Sequence, residues 1–425
     1  MFSINLGKTN FEKVIKINPI SKLLIRKRYY DTFKKITNSK TIYWIPPERI
    51  IYATNSQNET NEKKRGLGNG FSLRKMRGEI IDGNWDRSSY RFTDLEIYKV
   101  IKQTIEKNEE LQDARFFKLI QRHVKSPSNF WGATNAGNLQ KLFEYLNSPQ
   151  INLTYKKTII NRGIHFKNSS IDAIDVNIGR NGEYHFQNNA YMLSLAKVFR
   201  VKSVPVRVFV RHKQWQKFRE FVINYFQQDK DAKGFLYQPI VHPDFVNFPT
   251  QPFNNCHENM QNIKVHLTKK SGTMLDIGAN LGFFSHKFED IGYKCYAIES
   301  NLNNFRILEK IRVAESKKFT AINKSIFEIE FIKNTQFDVV LALNIFHHFL
   351  KKRSLFNEFK ELLQNLRTEL MFFSSALVGE DQMKNAYQNY SESTFVEFLL
   401  QQTSLSKSEL IFAGRLNRHV YKLSK

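Results

Sequence analysis

One stretch constrains this chain more than any other: Thr273-Met-Leu-Asp-Ile-Gly-Ala-Asn-Leu-Gly-Phe-Phe-Ser285. Met274, Leu275 and Ile277 supply the apolar run of a buried parallel strand, and Gly278, Ala279 and Gly282 are small enough to let a ligand lie against the turn that follows. Phe284, Phe288 and Ile291 then carry helical spacing up to Gly292. The glycine spacing is Asp276-x-Gly278-x-x-x-Gly282, which differs from the Gly-x-Gly-x-x-Gly of dinucleotide binders. The same residues also suit a tight strand-to-helix turn that holds no ligand.

The sequence after the turn continues the alternation. Lys294–Glu299 reads as a second strand, and Glu299 stands at its end, roughly 20 residues after the glycine turn, where a carboxylate in a nucleotide-binding fold accepts hydrogen bonds from ribose hydroxyls; a solvated loop carboxylate is the other reading. Phe319–Ser325, Phe337–Asn344 and Glu369–Ser375 suit three further strands, separated by segments of helical spacing, so the sheet is expected to be largely parallel. Leu410–Gly414 and Arg418–Leu423 read as an antiparallel closing hairpin.

Leu275-Asp-Ile-Gly-Ala-Asn-Leu-Gly282 resembles the first motif of the class I S-adenosylmethionine-dependent methyltransferases, and the resemblance runs over residues 263–425. It implies a Rossmann-like sheet and S-adenosylmethionine as cofactor. It also implies a cofactor-binding set of Asp276, Gly278, Asn280, Gly282, Glu299, Ser325 and Asn344. In that family an Asp after the third strand often binds the adenine amino group, but this chain reads Asn323-Lys-Ser-Ile-Phe-Glu328, so Ser325 or a backbone group has to substitute.

A chain of 425 residues has room for two or three domains, so the region before residue 263 needs its own account. Ile174–Phe186 alternates on both sides of Asn181-Gly182, a hairpin signal because that pair tolerates positive φ. A helix carrying Leu193, Leu195, Ala196 and Val198 follows, then the strand Val204–His212. This order resembles the ParB/sulfiredoxin-like fold over about residues 41–225. The family's phosphate-holding glycine and basic residues are replaced here by Asn189-Ala-Tyr-Met192, so nucleotide chemistry is expected to be lost. Asp175, Arg180 and Glu183 suit either a cleft lining or a hairpin surface.

Four segments are therefore expected in an α/β protein. They are a basic N-terminal extension (1–40), an α+β ParB-like domain (41–225), an ordered linker (226–262) and the methyltransferase domain (263–425). Thr41–Ile45 reads as a strand stopped by Pro46-Pro47, Asn55–Gly70 as a polar loop, and Leu95, Tyr98, Ile101 and Ile105 as one helix face capped by Thr93 or Asp94. The linker Tyr237–Pro249 is punctuated by proline and needs somewhere to pack its apolar residues; His242 and Asp244 suit either a roof over the cofactor or a local hydrogen-bonded turn.

With 65 Lys and Arg against 40 Asp and Glu, the net charge of +25 invites nucleic acid as a partner, but the basic residues are scattered, with local clusters only at Lys22–Lys35, Lys63–Arg77 and Arg207–Lys217. Two cysteines, Cys256 and Cys295, argue against a disulfide framework, and Cys256-His257 lacks a second pair at ligand spacing, so no metal is expected. There is no apolar run long enough for a transmembrane segment and no signal-peptide core at the first residues, so a cytoplasmic enzyme is expected. The leading expectation is methylation of a small-molecule or saccharide acceptor at oxygen. His347, just beyond the fourth strand, is the candidate for orienting or deprotonating the acceptor, titrating near neutral pH, with His348 pointing elsewhere; the same pair also suits capping or packing of the helix that follows. The alternatives are a nucleic-acid-binding protein with an accessory methyltransferase domain, and a scaffold that retains only the cofactor fold.

Overall fold

A computed structural model of the protein describes residues 42–54, 78–87, 89–106, 173–198, 200, 202–228, 234–251, 255–376, 379–414 and 418–425. The basic extension, the polar loop at 55–70 and the clusters Lys22–Lys35 and Lys63–Arg77 lie outside these residues. The described residues fall into two compact units. One is drawn from the chain up to Gly179 together with Tyr184–Lys213, the other from Arg180–Glu183 and Gln214–Lys425.

The first unit is a mixed sheet of β1 (Ile42–Ile45), β2 (Ile50–Ala53), β3 (Ile80–Ile81), β4 (Ile174–Ile178), β5 (Tyr184–Asn188) and β6 (Val204–His212). The order is β1-β6-β4-β5-β2, with β3 also paired to β6. β4 and β5 pair antiparallel as the Asn181-Gly182 signal predicts, with Gly182 at φ 91°. Prolines end β1, and Pro47–Arg49 is a 3-10 turn. Helix α1 (Glu96–Glu106) packs on α2 (Ala190–Val198).

One expectation fails here, at the cap of α1. Along β4 apolar and polar residues alternate, and all five are buried. The polar ones are accommodated by partners: Asn177 Nδ2 donates to Thr54 Oγ1 (2.6 Å) and Gln187 Oε1 (2.8 Å), and its Oδ1 accepts from Val210 N (3.2 Å). Thr93 and Asp94 belong to a separate 3-10 turn, Phe92–Asp94, before α1, and the Asp94 carboxylate accepts from Arg91 N at 3.2 Å.

The second unit begins with helix α3 (Lys213–Gln228), an extended segment and α4 (Cys256–Val265). Then come β7 (Gly272–Ile277), α5 (Phe283–Asp290), β8 (Tyr293–Ile298), α6 (Leu302–Ala314), β9 (Thr320–Ile322) and the single turn α7 (Phe331–Asn334). The short β10 (Gln336–Phe337), β11 (Val339–Leu343), α8 (Arg353–Asn365), the short β12 (Arg367–Thr368), β13 (Leu370–Ser374) and α9 (Glu392–Gln402) follow, and β14 (Lys407–Ala413) with β15 (His419–Ser424) closes the chain.

The main sheet has the order β14-β15-β13-β11-β7-β8-β9. The five strands from β13 to β9 are parallel, and β15 runs antiparallel between β13 and β14. Each expected strand of this region is present, with ends shifted by a few residues. Because successive residues of a strand face opposite layers, Leu275 and Ile277 pack with Val340, Met371, Phe359 and Phe395 on one face, while Met274 packs with Cys295, Leu341, Phe372 and Phe288 on the other. Cys295 is buried there, as its strand position predicts. The chain runs outward from β7 to β9 and then returns to the other side of β7 as β11, which makes the β7–β11 gap a topological switch point. Among the described residues no helix is long and apolar enough to cross a membrane, and no group of three metal-ligating side chains occurs.

Candidate active site

Between β7 and α5 the backbone turns sharply: Gly278, Asn280 and Gly282 have φ of 73°, 53° and 81°. Two successive amides, Gly278 N and Ala279 N, donate to Ile298 O at 2.9 and 2.8 Å, which fixes the turn to the end of β8. A Cβ on Gly278 would stand 2.8 Å from Ile345 Cδ1, and one on Gly282 would stand 2.9 Å from Leu308 Cγ. The missing side chains thus make room for protein groups from the end of β11 and from α6, where the sequence suggested room for a ligand.

Two carboxylates stand behind this turn. Asp276 is buried at the end of β7 and accepts from Ser285 Oγ at 2.7 Å. Burial raises its pKa to about 7, with the charge of Glu299 adding to the shift and the Ser285 hydrogen bond opposing it. Glu299 lies just past β8. Its Oε2 accepts from Asn280 N (2.8 Å) and its Oε1 from Asn301 N (2.7 Å), while burial raises its pKa against these bonds. The Asn304 side chain also bonds to this carboxylate, and the lone-pair capacity that remains suits a ligand hydroxyl. Asn280 Oδ1 is buried without a protein partner, which leaves an acceptor at the turn for a donor on a ligand. A ligand with a pair of hydroxyls and a further donor fits these groups.

The flanking strands complete the crevice. Asn323 Nδ2 donates to Glu299 O (2.8 Å) and Ser300 O (3.2 Å), and the half-buried Ser325 precedes the 3-10 turn Ile326–Glu328 at the end of β9. Asn344 follows β11 with φ 58°; its N–H donates to Ser374 O (2.8 Å) and its side chain meets the phenol of Tyr237. His347 is buried on the 3-10 turn Phe346–Leu350, and its Nδ1 has no partner. Burial, then the charges of His348, Lys351 and Arg418, push its pKa down to about 3, so it does not titrate near neutrality as the sequence suggested. His348 is exposed but does not point away: its ring lies 4.1 Å from that of His347, centroid to centroid.

The fold therefore gathers Asp276, Gly278, Asn280, Gly282 and Glu299 around one turn, with Ser325 and Asn344 at the ends of the neighbouring strands. His242 and Asp244 are used elsewhere. His242 Nε2 lies 3.0 Å from Gly182 O and its Nδ1 accepts from Asp244 N (3.1 Å), while Asp244 accepts from Trp215 Nε1 (2.9 Å) and pairs with Arg219 Nε (3.0 Å). They lock the segment to α3, which is the local-turn reading. Three residues beside the crevice were not singled out by sequence: Tyr237, which meets Asn344, Gln238, whose Oε1 accepts from Phe283 N (3.3 Å), and Arg418, whose charge acts on His347 and Tyr237. The first two sit in the proline-punctuated segment already singled out, whose need for packing was the only available signal.

Residues 275–366 match a family model described as a methyltransferase domain. No curated protein sequence matches the chain. Among solved structures, one of WbdD, elsewhere described as a bifunctional kinase-methyltransferase, is 19% identical with a TM-score of 0.37, covering 48% of this chain and 46% of that one. The chain thus spans less than half of WbdD's length. The Burkholderia thailandensis 1,6-didemethyltoxoflavin-N1-methyltransferase is 13% identical with a TM-score of 0.35, covering 49% of this chain and 89% of that one. The PH0226 protein from Pyrococcus horikoshii OT3 is 16% identical with a TM-score of 0.34, covering 47% and 96%. Residues 275–366 therefore carry a methyltransferase domain, and S-adenosylmethionine is the cofactor that such a domain implies.

Proposed function

We propose that this methyltransferase transfers its methyl group to an oxygen of a small-molecule or saccharide acceptor, with the cofactor held by Asp276, Gly278, Asn280, Gly282, Glu299, Ser325 and Asn344. The observation that carries the site is the pairing of Glu299 with Asn280. One offers lone pairs beside an ordered turn and the other a buried oxygen without a partner. Bound S-adenosylmethionine supplies an electrophilic methyl on a sulfonium. Glu299 accepts from the ribose hydroxyls, Ser325 or the neighbouring backbone faces the adenine, and Asp276 with Ser285 stiffens the end of β7. His347, neutral across the working range, accepts a hydrogen bond from the acceptor hydroxyl and orients it. Alignment and exclusion of water supply much of the rate in such a transfer, so a strong base is not required.

The segments 1–40, 41–225, 226–262 and 263–425 belong to the same proposal, with 41–225 read as a degenerate ParB/sulfiredoxin-like domain. The β4–β5 hairpin, α2 and β6 support that reading. Asn189 at φ 73° and the buried Ala190 and Met192, where the family holds phosphate, support the loss of nucleotide binding. A cytoplasmic location is part of the proposal too. The net charge of +25 favours a second reading, in which the N-terminal half docks nucleic acid.

Calorimetry with S-adenosylhomocysteine tests the site: Glu299→Ala should weaken binding by roughly 1.5–3 kcal/mol, the scale of a hydrogen bond to a charged group. Labelled cofactor offered to pools of hydroxylated small molecules and oligosaccharides tests the acceptor. Label found instead on RNA or DNA, with salt-sensitive binding that is lost with residues 1–225, would favour the second reading.

A further inference from the structure

The strand ends give a bound cofactor a direction. Glu299 at the end of β8 is the ribose carboxylate, so with the adenine towards β9 the opposite, amino-acid end points to the β7–β11 switch point. Two consecutive residues from the extended segment ahead of the sheet meet there. Gln238 Oε1 accepts from Phe283 N, the first residue of α5, at 3.3 Å, and the Tyr237 phenol meets the side chain of Asn344 at the end of β11. Residues 237 and 238 thus bridge both sides of the crevice. Gln238 is buried and Tyr237 half-buried. Arg418 brings positive charge to the same place: it donates to Ser375 O (3.2 Å) and Glu380 Oε2 (2.8 Å), and it acts on the Tyr237 phenol. Burial raises that phenol's pKa to about 12, with Arg418 opposing, so Tyr237 keeps its proton and remains a donor.

We propose that Tyr237 binds the carboxylate at the amino-acid end of the cofactor, its hydroxyl donating from the β11 side while Gln238 ties the bridging segment to the start of α5. This rests on the cofactor placement described above. Tyr237 exchanges no proton and forms no covalent bond; it positions the cofactor by one charge-assisted hydrogen bond.

The experiment is calorimetry on the full chain with two probes, S-adenosylhomocysteine and 5′-methylthioadenosine, the second of which lacks the amino-acid end. Tyr237→Phe keeps the ring and removes only the hydroxyl. It should weaken S-adenosylhomocysteine about tenfold or more and leave 5′-methylthioadenosine within about twofold, with an unchanged unfolding midpoint. Gln238→Leu, which unties the segment, should show the same selectivity. Unchanged affinity of Tyr237→Phe for S-adenosylhomocysteine, or an equal loss for both probes, overturns the proposal. Wild-type protein that binds neither probe would overturn the cofactor placement itself, a result distinct from either of these.

Discussion

Gly278 and Ile345 exclude one another's side chains: a Cβ on Gly278 would fall 2.8 Å from Ile345 Cδ1 and 2.9 Å from Ile345 Cγ1, on a backbone already at φ 73°. The contact joins the end of β7 to the end of β11 across the switch point. Gly278→Ala should therefore cost about 1–3 kcal/mol through backbone strain and overlap together. Combining it with Ile345→Ala should return the overlap part and leave the strain, so a double-mutant cycle in urea should show a coupling of about 0.5 kcal/mol or more. Strict additivity would mean that Ile345 yields freely and that the glycine serves φ alone.

How much of this was legible beforehand depended on periodicity. The strands β7, β8, β11 and β13 are largely apolar runs with most residues buried, and Glu299 was placed by its distance from the glycine turn, so these were readable from residue order. What Gly278 makes room for was not readable, because Ile345 lies 67 residues further on and only the parallel pairing of β7 with β11 brings the two together. Tyr237 and Gln238 were hidden for a similar reason. A proline-punctuated segment has no repeat that tells which side chain faces inward, and His242 and Asp244 drew attention by their chemistry while their partners, Trp215 and Arg219, lay on a helix of a different period.

His347 gives a pH test with a definite sign. Its pKa falls from an ordinary 6.5 to about 3 on folding, so the unfolded chain takes up a proton below about 6.5 that the folded chain refuses until about 3. Its contribution to stability is then present above 6.5 and is lost as pH falls through that window. Relative to His347→Gln, which stays neutral, the wild type should lose unfolding midpoint progressively from pH 6.5 towards 4. A parallel pair of curves would show that the imidazole is protonated in the folded state.

Asp276 works in the opposite sense. Folding raises its carboxyl from 3.8 to about 7, so between these values the folded chain holds a proton that the unfolded chain has released. The associated stability is full below about pH 4 and is lost as pH rises through about 7. Asp276→Asn keeps an oxygen for Ser285 Oγ and has no such slope, so without cofactor the variant should gain on the wild type between pH 4 and 7 and hold that gain above. Thermal unfolding at pH 4.5, 6 and 7.5 measures it. No change in the difference across these three points would mean that Asp276 is ionised throughout.

The ion pair of Arg219 with Asp244 bears on the bridging segment through packing. Both side chains are almost fully buried, 1% and 3% exposed, with Arg219 Nε 3.0 Å from Asp244 Oδ2, Trp215 Nε1 donating to the same carboxylate, and the guanidinium lying against Phe245 and Phe248. Removing one partner leaves a buried charge without its counter-ion, which costs more than the pair itself contributes. Asp244→Ala should destabilise by about 3–5 kcal/mol, and Asp244→Asn by less, since an amide oxygen still accepts from Trp215. The double change Asp244→Leu with Arg219→Met removes both charges and should recover much of the loss. Because Tyr237 and Gln238 lie a few residues before Asp244 in the same extended segment, Asp244→Asn should also weaken S-adenosylhomocysteine more than 5′-methylthioadenosine while the sheet remains folded. Destabilisation with the two probes weakened equally would confine the ion pair to holding α3 and leave the bridging segment fixed by its own contacts with Phe283 and Asn344.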